Sequence, residues 1–232
     1  MRARGNQSWR AVCRWSIAGL LATAAAGGTH AQAVGPDVCG PLANHYGPFD
    51  YRTQKDKLAI VEQYHFDAGV EALVRGMTTD KIGGDIGYTL LTSPNHHRAL
   101  MAIIRLGEKL NNWHPPQMRY PIECYLERGL RFRPDDTVVR QLYAQWLSKR
   151  GRRDEALRQL AVATEYAGDS GITHHNIGML YLDVNEPAKA LAQAHRAKAL
   201  GFEGSRLEDR LKAAGSWQEP APSPAAAPAS SS

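Results

Sequence analysis

The chain has 232 residues, enough for one or two domains and a substantial buried core. Its 28 Lys and Arg against 23 Asp and Glu give a formal net charge of +5. Four of the basic residues, Arg2, Arg4, Arg10 and Arg14, fall in the first 33 positions; without them the balance is 24 against 23, about +1, and no sustained basic stripe supports nucleic-acid binding.

Those first 33 positions read as a secretory signal peptide. A basic start leads into an apolar core, Ile17–Ala26, and then the small-residue cleavage site Ala31-Gln32-Ala33. The apolar core is too short and wrongly flanked for a retained membrane span, and Cys13 precedes it, so it is not the cysteine of a lipoprotein signal. The expected product is periplasmic or secreted, with no membrane insertion after cleavage. Two cysteines then remain, Cys39 and Cys124, and an oxidising compartment predicts that they pair. Closing so long a loop stabilises by about 4 kcal/mol in the chain-entropy model.

Residues 34–53 hold three Pro and three Gly and read as an extended strap, followed by a short leading helix over Lys55–Tyr64. The strap is rich in rings: His45, Tyr46, Phe49 and Tyr51, with Tyr64 and Phe66 just beyond. Two roles are open to it, a ring-stacking ligand patch or a cover sealing the first helices. Asp67 is placed to cap a helix carrying the apolar stripe Val70, Leu73, Val74 and Met77. Gly83-Gly84-Asp85 reads as an inter-helix turn, although Ile82, Ile86 and Leu90 fit a second helix that closes at Pro94. Positions 63–96 are thus expected to form a degenerate first helical pair.

In positions 97–136, Ala99, Leu100, Ile103 and Ile104 mark one helix and Ile122, Leu126 and Leu130 another. Between them Asn111–Pro121, with Trp113 and three prolines, is a turn six residues longer than such units need, and long turns in compact arrays more often carry function. Then one pattern is written twice at a spacing of 34. Glu155 pairs with Lys189, Ala156 with Ala190, Leu157 with Leu191 and Ala163 with Ala197. Each copy, 137–170 and 171–204, holds two amphipathic segments, which is the mark of a helical repeat array. Asp154 and Asn185 are expected N-caps of the second helices, and Pro187 suits a first turn. Ser205 and Glu208 form a capping box for a closing helix over 205–214, with Leu207 and Leu211 inward and Arg206 and Arg210 on a solvated outer face. Residues 215–232 are a Pro/Ala/Ser tail expected to be disordered.

These units resemble tetratricopeptide repeats. In the last, Ile177, Gly178, Tyr181, Ala190, Ala194 and Ala197 fall on the characteristic positions; in the one before, Tyr143, Ala144, Leu147, Gly151, Ala156, Leu160 and Ala163 do. The small residues are needed where helices cross closely. Unit 97–136 departs by its long turn, by Ile104 and by Gly129, and unit 63–96 matches loosely. The stretch Pro94–Leu100 is also similar to one found in exported bacterial repeat proteins, a likeness to which no activity attaches. The resemblance implies an all-α fold, an α-α superhelix of about four helical hairpins with the strap at one end and the closing helix at the other.

It also implies a concave groove lined by the first helix of each unit. Carried over, the groove positions are Arg98, Met101, Arg105 and Glu108, then Val138, Gln141, Gln145 and Ser148, then Ile172, His175, Met179 and Leu182, with Lys149 beside them. Arg98, Arg105 and Lys149 are the expected partners of a peptide carboxylate. The reading is therefore a non-catalytic periplasmic scaffold binding a protein or peptide, with no cofactor. The alternative is a small-ligand or copper-binding protein using the strap, the Trp113 turn and the pairs His96-His97 and His174-His175. Adjacent residues on a helix point about 100° apart, so neither pair chelates easily. No nucleophile elbow, His-Glu-x-x-His pair or phosphate loop is present, and no spacing gathers His45, Asp50, Asp56 and His65 into a catalytic set.

Overall fold

The computed structural model describes residues 38–78 and 81–220; the signal-peptide reading, the first strap residues and tail residues 221–232 lie outside it. Among the described residues the fold is all-α, with ten helices and no strand. They are α1 (Lys55–His65), α2 (Ala68–Glu71), α3 (Ile82–Thr92), α4 (His97–Leu110), α5 (Ile122–Phe132), α6 (Thr137–Lys149), α7 (Arg153–Tyr166), α8 (Gly171–Asp183), α9 (Pro187–Ala199) and α10 (Arg206–Ala213).

Helices α6 and α7, and α8 and α9, pack most intimately, each pair joined by a short turn. The 34-residue spacing carries straight into the elements: α6 and α8 each have 13 residues and start 34 positions apart, and α7 and α9, of 14 and 13 residues, also start 34 apart. Small residues sit where these helices cross. Ala144, Ala156, Ala163, Ala190, Ala194 and Ala197 are all buried, and a side chain on Gly178 would meet Leu207 and Gln193. Upstream, α3 and α5 each have 11 residues and start 40 positions apart, the difference being the long turn after α4.

The helix starts follow the same registers, though not with the expected caps. Equivalent residues open the first helix of successive units: His96 accepts from the Ala99 amide at 3.1 Å, Asp136 from Val138 and Val139 at 3.1 and 3.2 Å, and Ser170 from Thr173 at 3.3 Å. Asp154 instead lies inside the first turn of α7, where its charge favours the helix dipole. Asn185 takes φ +58 in the turn after α8 and caps nothing. Pro187 opens α9 as expected. Ser205 makes no capping bond to its helix but donates to Asp209 at 2.8 Å, while Glu208 pairs with Lys198 and Lys212.

The N-terminal end departs most from expectation. The helix foreseen from Asp67 to Met77 stops at Glu71, although Asp67 does cap it, accepting from Val70 at 2.9 Å. Leu73 takes the left-handed φ of +59, Val74 is 77% exposed, and the expected stripe is broken. Side chains from α4 and α3 hold this segment instead. Arg105 donates to the Glu71 carbonyl at 3.2 Å and Lys109 to that of Leu73 at 2.9 Å, while the buried Asp85 carboxylate accepts from Met77 and Thr78. Helix α1 packs against α3, as α4 does, and buries Leu58 and Val61. Gly83-Gly84-Asp85 is therefore not a turn but the first turn of α3. The turn after α4 explains the glycine there: a side chain on Gly83 would lie 2.5 Å from the Pro116 carbonyl and 3.1 Å from Met118.

The strap ties these upstream helices together. Cys39 is disulfide-bonded to Cys124 of α5, with Cα atoms 5.0 Å apart. Arg128, fully buried on the next turn of α5, donates to the carbonyls of Cys39 at 3.1 Å and Pro41 at 2.6 Å. Further on, the Phe49 amide donates to the Thr92 carbonyl at 2.9 Å. Then comes a buried polar node: one Asn95 side-chain amide donates to Asp50 at 2.7 Å and to Asp136 at 2.9 Å, with Arg52, Arg133 and His97 around the two carboxylates. At the other end the tail does not leave the fold at once. Trp217 packs beside His195, with ring centroids 5.2 Å apart, and Lys198 and Lys212 lie over its face.

Candidate functional site

Three successive first helices, α4, α6 and α8, together with α10, line a groove of about 500 Å³. Five of the eight partner-binding positions expected from the sequence meet there: Met101, Gln141, Gln145, His175 and Met179, with Val138 from the wider set. Leu142, Asn176, Leu180 and Asp183 complete the floor. The surface alternates amides with thioethers and aliphatic groups. Side-chain amides such as Gln141, Gln145 and Asn176 offer both donors and acceptors, which suits an extended backbone, and methionine adapts to varied side chains. His175 packs on Phe202 at 4.7 Å, and burial, helped by the charge of Arg206, pushes its pKa down.

The three expected cations are elsewhere. Arg98 forms a forked ion pair with Glu71, its Nε donating at 2.9 Å, and Arg105 reaches the Glu71 carbonyl. Both are spent on holding the short α2 against α4. Lys149 pairs with Glu108 at 2.6 Å in a separate depression of about 370 Å³. There Trp113, delivered by the long turn, and Trp146 flank the Arg150 guanidinium at 4.1 and 4.5 Å. The groove draws its positive charge instead from Arg206 and Arg210 of α10. Arg210 is paired with Asp183 at 2.9 Å; Arg206 is exposed and has no ion pair among the described residues. The sequence reading placed both on a solvated outer face. Their i, i+4 spacing across from Leu207 and Leu211 was the available signal, because α10 is short enough to bury its leucines and still present one edge to α8.

The histidine pairs diverge. His96 is fully buried, donates through Nε2 to Glu62 at 2.8 Å and caps α4 through Nδ1; His97 turns to Asp136 at 2.9 Å. His174 lies between Gln193 at 2.7 Å and the Gly168 carbonyl at 3.0 Å, while His175 faces the groove. Among the described residues no group of three or more His, Cys, Asp or Glu side chains is placed to hold a metal ion. Asp50 belongs to the buried node, apart from His45 and His65, which line a third cavity beneath the strap.

Comparison with protein-family models, with curated proteins and with solved structures finds no match to the chain. No helix among the described residues is long and apolar enough to cross a membrane. The disulfide is of the kind that persists outside reducing compartments.

Proposed function

We propose that this chain is a non-catalytic, exported helical-repeat scaffold of the tetratricopeptide type, working in the periplasm and holding an extended peptide segment of a partner protein in the α4–α6–α8–α10 groove. The observation that carries the reading is the gathering of Met101, Gln141, Gln145, His175 and Met179 in one groove, as repeat register requires. Residues from three equivalent helices stack at the repeat interval, and such a floor suits an extended segment running across the units. The exposed Arg206 gives the groove a charged end, so the favoured segment brings a carboxylate there, either an acidic side chain or a chain terminus.

A photo-crosslinking residue at Gln141 tests this directly, with Arg158, exposed on α7, as the control position. The expected result is a discrete adduct from Gln141 in cells, absent from Arg158 and weakened by Arg206→Glu. Equal labelling from both positions, or none from Gln141, sinks the groove reading.

A further inference from the structure

The strap borders an open cleft apart from the groove. His45 and Tyr46 of the strap, Ile60, Tyr64 and His65 of α1, and Tyr88 of α3 line a space of about 410 Å³. That volume lies in the usual range of small-ligand sites, roughly 300–1,000 Å³. Aromatic rings supply most of its wall. His65 and Tyr88 lie ring on ring at 4.1 Å, and Tyr46 is fixed by its hydroxyl donating to the Lys57 carbonyl at 2.9 Å. Tyr64 and Ile60 remain about half exposed, at 53% and 49%, and both line this cleft.

One polar group in this wall is held in place from behind. His65 Nδ1 lies 3.0 Å from Asp85, a fully buried carboxylate that also accepts from the Met77 and Thr78 amides. The contact with Asp85 engages Nδ1 and fixes the ring, leaving Nε2 as the ring nitrogen open to a ligand. Among the described residues Nε2 has no hydrogen-bond partner, nor do the hydroxyls of Tyr64 and Tyr88. Among the described residues no Lys, Arg, Asp or Glu lines the cavity.

We propose that this pocket is a binding site for a neutral sugar, one or two pyranose rings stacking on Tyr64 with a hydroxyl hydrogen-bonded to His65 Nε2. Flat aromatic walls suit the C–H faces of a pyranose ring, and an oriented ring nitrogen and the phenol hydroxyls of the lining suit its hydroxyl edge. The lack of a lining cation disfavours phosphate or carboxylate ligands. Asp85, behind His65, is buried and engaged by the Met77 and Thr78 amides, and the role proposed for the site is binding alone.

The test is calorimetric titration of the full mature protein with cellobiose, maltose and di-N-acetylchitobiose, with inorganic phosphate and N-acetyltyrosinamide as contrasts. At least one disaccharide is expected to bind saturably. Tyr64→Ala is expected to weaken it tenfold or more, and His65→Phe, which keeps a ring beside Tyr88 but removes the ring nitrogens, about fivefold. Circular dichroism establishes that both variants fold. Met179→Ala in the groove should leave sugar binding unchanged, which separates this site from the peptide reading. No saturable binding of any of the three sugars overturns the proposal, as does binding that survives both substitutions, or a preference for phosphate or the tyrosine amide.

Discussion

The two ends of this array are held together by different physics. From α6 to α9 the helices meet chiefly through alanines and Gly178, the buried His174–Gln193 contact being an exception, and several of their charges lie in exposed pairs such as Arg196 with Asp169. From the strap to α5 the chain is bound by a disulfide, a buried Arg128 and a node of buried carboxylates around Asn95. A regular repeat needs only complementary faces, since each unit repeats its neighbour's solution. Where units differ in length and a non-helical strap must be seated, backbone polar groups are left over, and side chains have to satisfy them. The candidate sites divide the same way, with a groove built from repeat register at one end and a cavity built from exceptions at the other.

The largest expected effect comes from removing the crosslink. Cys39→Ser with Cys124→Ser should cost about 4 kcal/mol in a denaturant titration. Hydrogen exchange should show the loss in the strap and α1–α5, with α8 and α9 still protected. Uniform loss across all helices would erase the distinction between the two ends.

Next is the node. Asn95→Leu takes away the donor shared by Asp50 and Asp136 and leaves two buried carboxylates without it, an expected loss of about 3 kcal/mol. Acid acts on the same region. Burial, opposed by the hydrogen bond to Glu62, lowers the pKa of His96 from 6.5 to about 4. The unfolded chain therefore takes up a proton near pH 6.5 that the folded chain refuses until about pH 4. His96 thus contributes stability that is fully present above pH 6.5 and is lost as pH falls through that window, on the order of 3 kcal/mol. Below about pH 4 the node adds to this. Burial works against ionisation of Asp50 and Asp136, but hydrogen bonds from Arg52 and Asn95, and from His97, outweigh it and hold both below the usual carboxylate range. Their contribution is present above about pH 4 and is lost on further acidification. Urea midpoints at pH 7 and 4.5 should differ in the native chain and much less in His96→Gln.

At the regular end, Gly178→Val should cost about 2 kcal/mol by overpacking against Leu207 and Gln193, and should undock α10. Because α10 supplies Arg206 and Arg210, the same substitution should weaken groove binding beyond its effect on stability. A variant that loses stability but keeps full affinity would remove α10 from the site.

How much could be read from the sequence follows the same divide. The helices of the duplicated units were legible nearly to the residue because small-residue spacing and amphipathic period agree there. The same register brings Met101, Gln141, Gln145, His175 and Met179 into one groove. The upstream end was not legible. Val70, Leu73, Val74 and Met77 have helical spacing, yet Arg105, Lys109 and Asp85 from distant positions draw that backbone out of a helix. Gly83 looked like a breaker and is instead the gap into which the Pro116 backbone fits. Arg98 and Arg105 had the right register for the groove, but Glu71, 27 and 34 positions away, claims them. Periodicity reports which face a side chain occupies; it does not report which carboxylate waits there.

The smallest expected effect concerns Lys149, the third cation assigned to the groove. Its ammonium pairs with Glu108 at 2.6 Å, but the two side chains are 55% and 38% exposed. In that setting solvent screens the attraction, ordering two long side chains offsets much of the remainder, and the net worth is no more than about 0.5 kcal/mol. Lys149→Ala should therefore leave the denaturant midpoint within error of the native chain. Its consequence for binding separates two geometries. If the partner segment ends at the groove, affinity should be unchanged, since Lys149 lies in the neighbouring depression with Trp113 and Arg150. If the segment continues along α6 into that depression, loss of Lys149 frees Glu108 to repel an acidic segment or to engage a basic one, so affinity shifts with the charge of the segment. Equal affinity for acidic and basic versions of a captured peptide, in both the native chain and the variant, would confine the partner to the groove floored by Met101 and Met179.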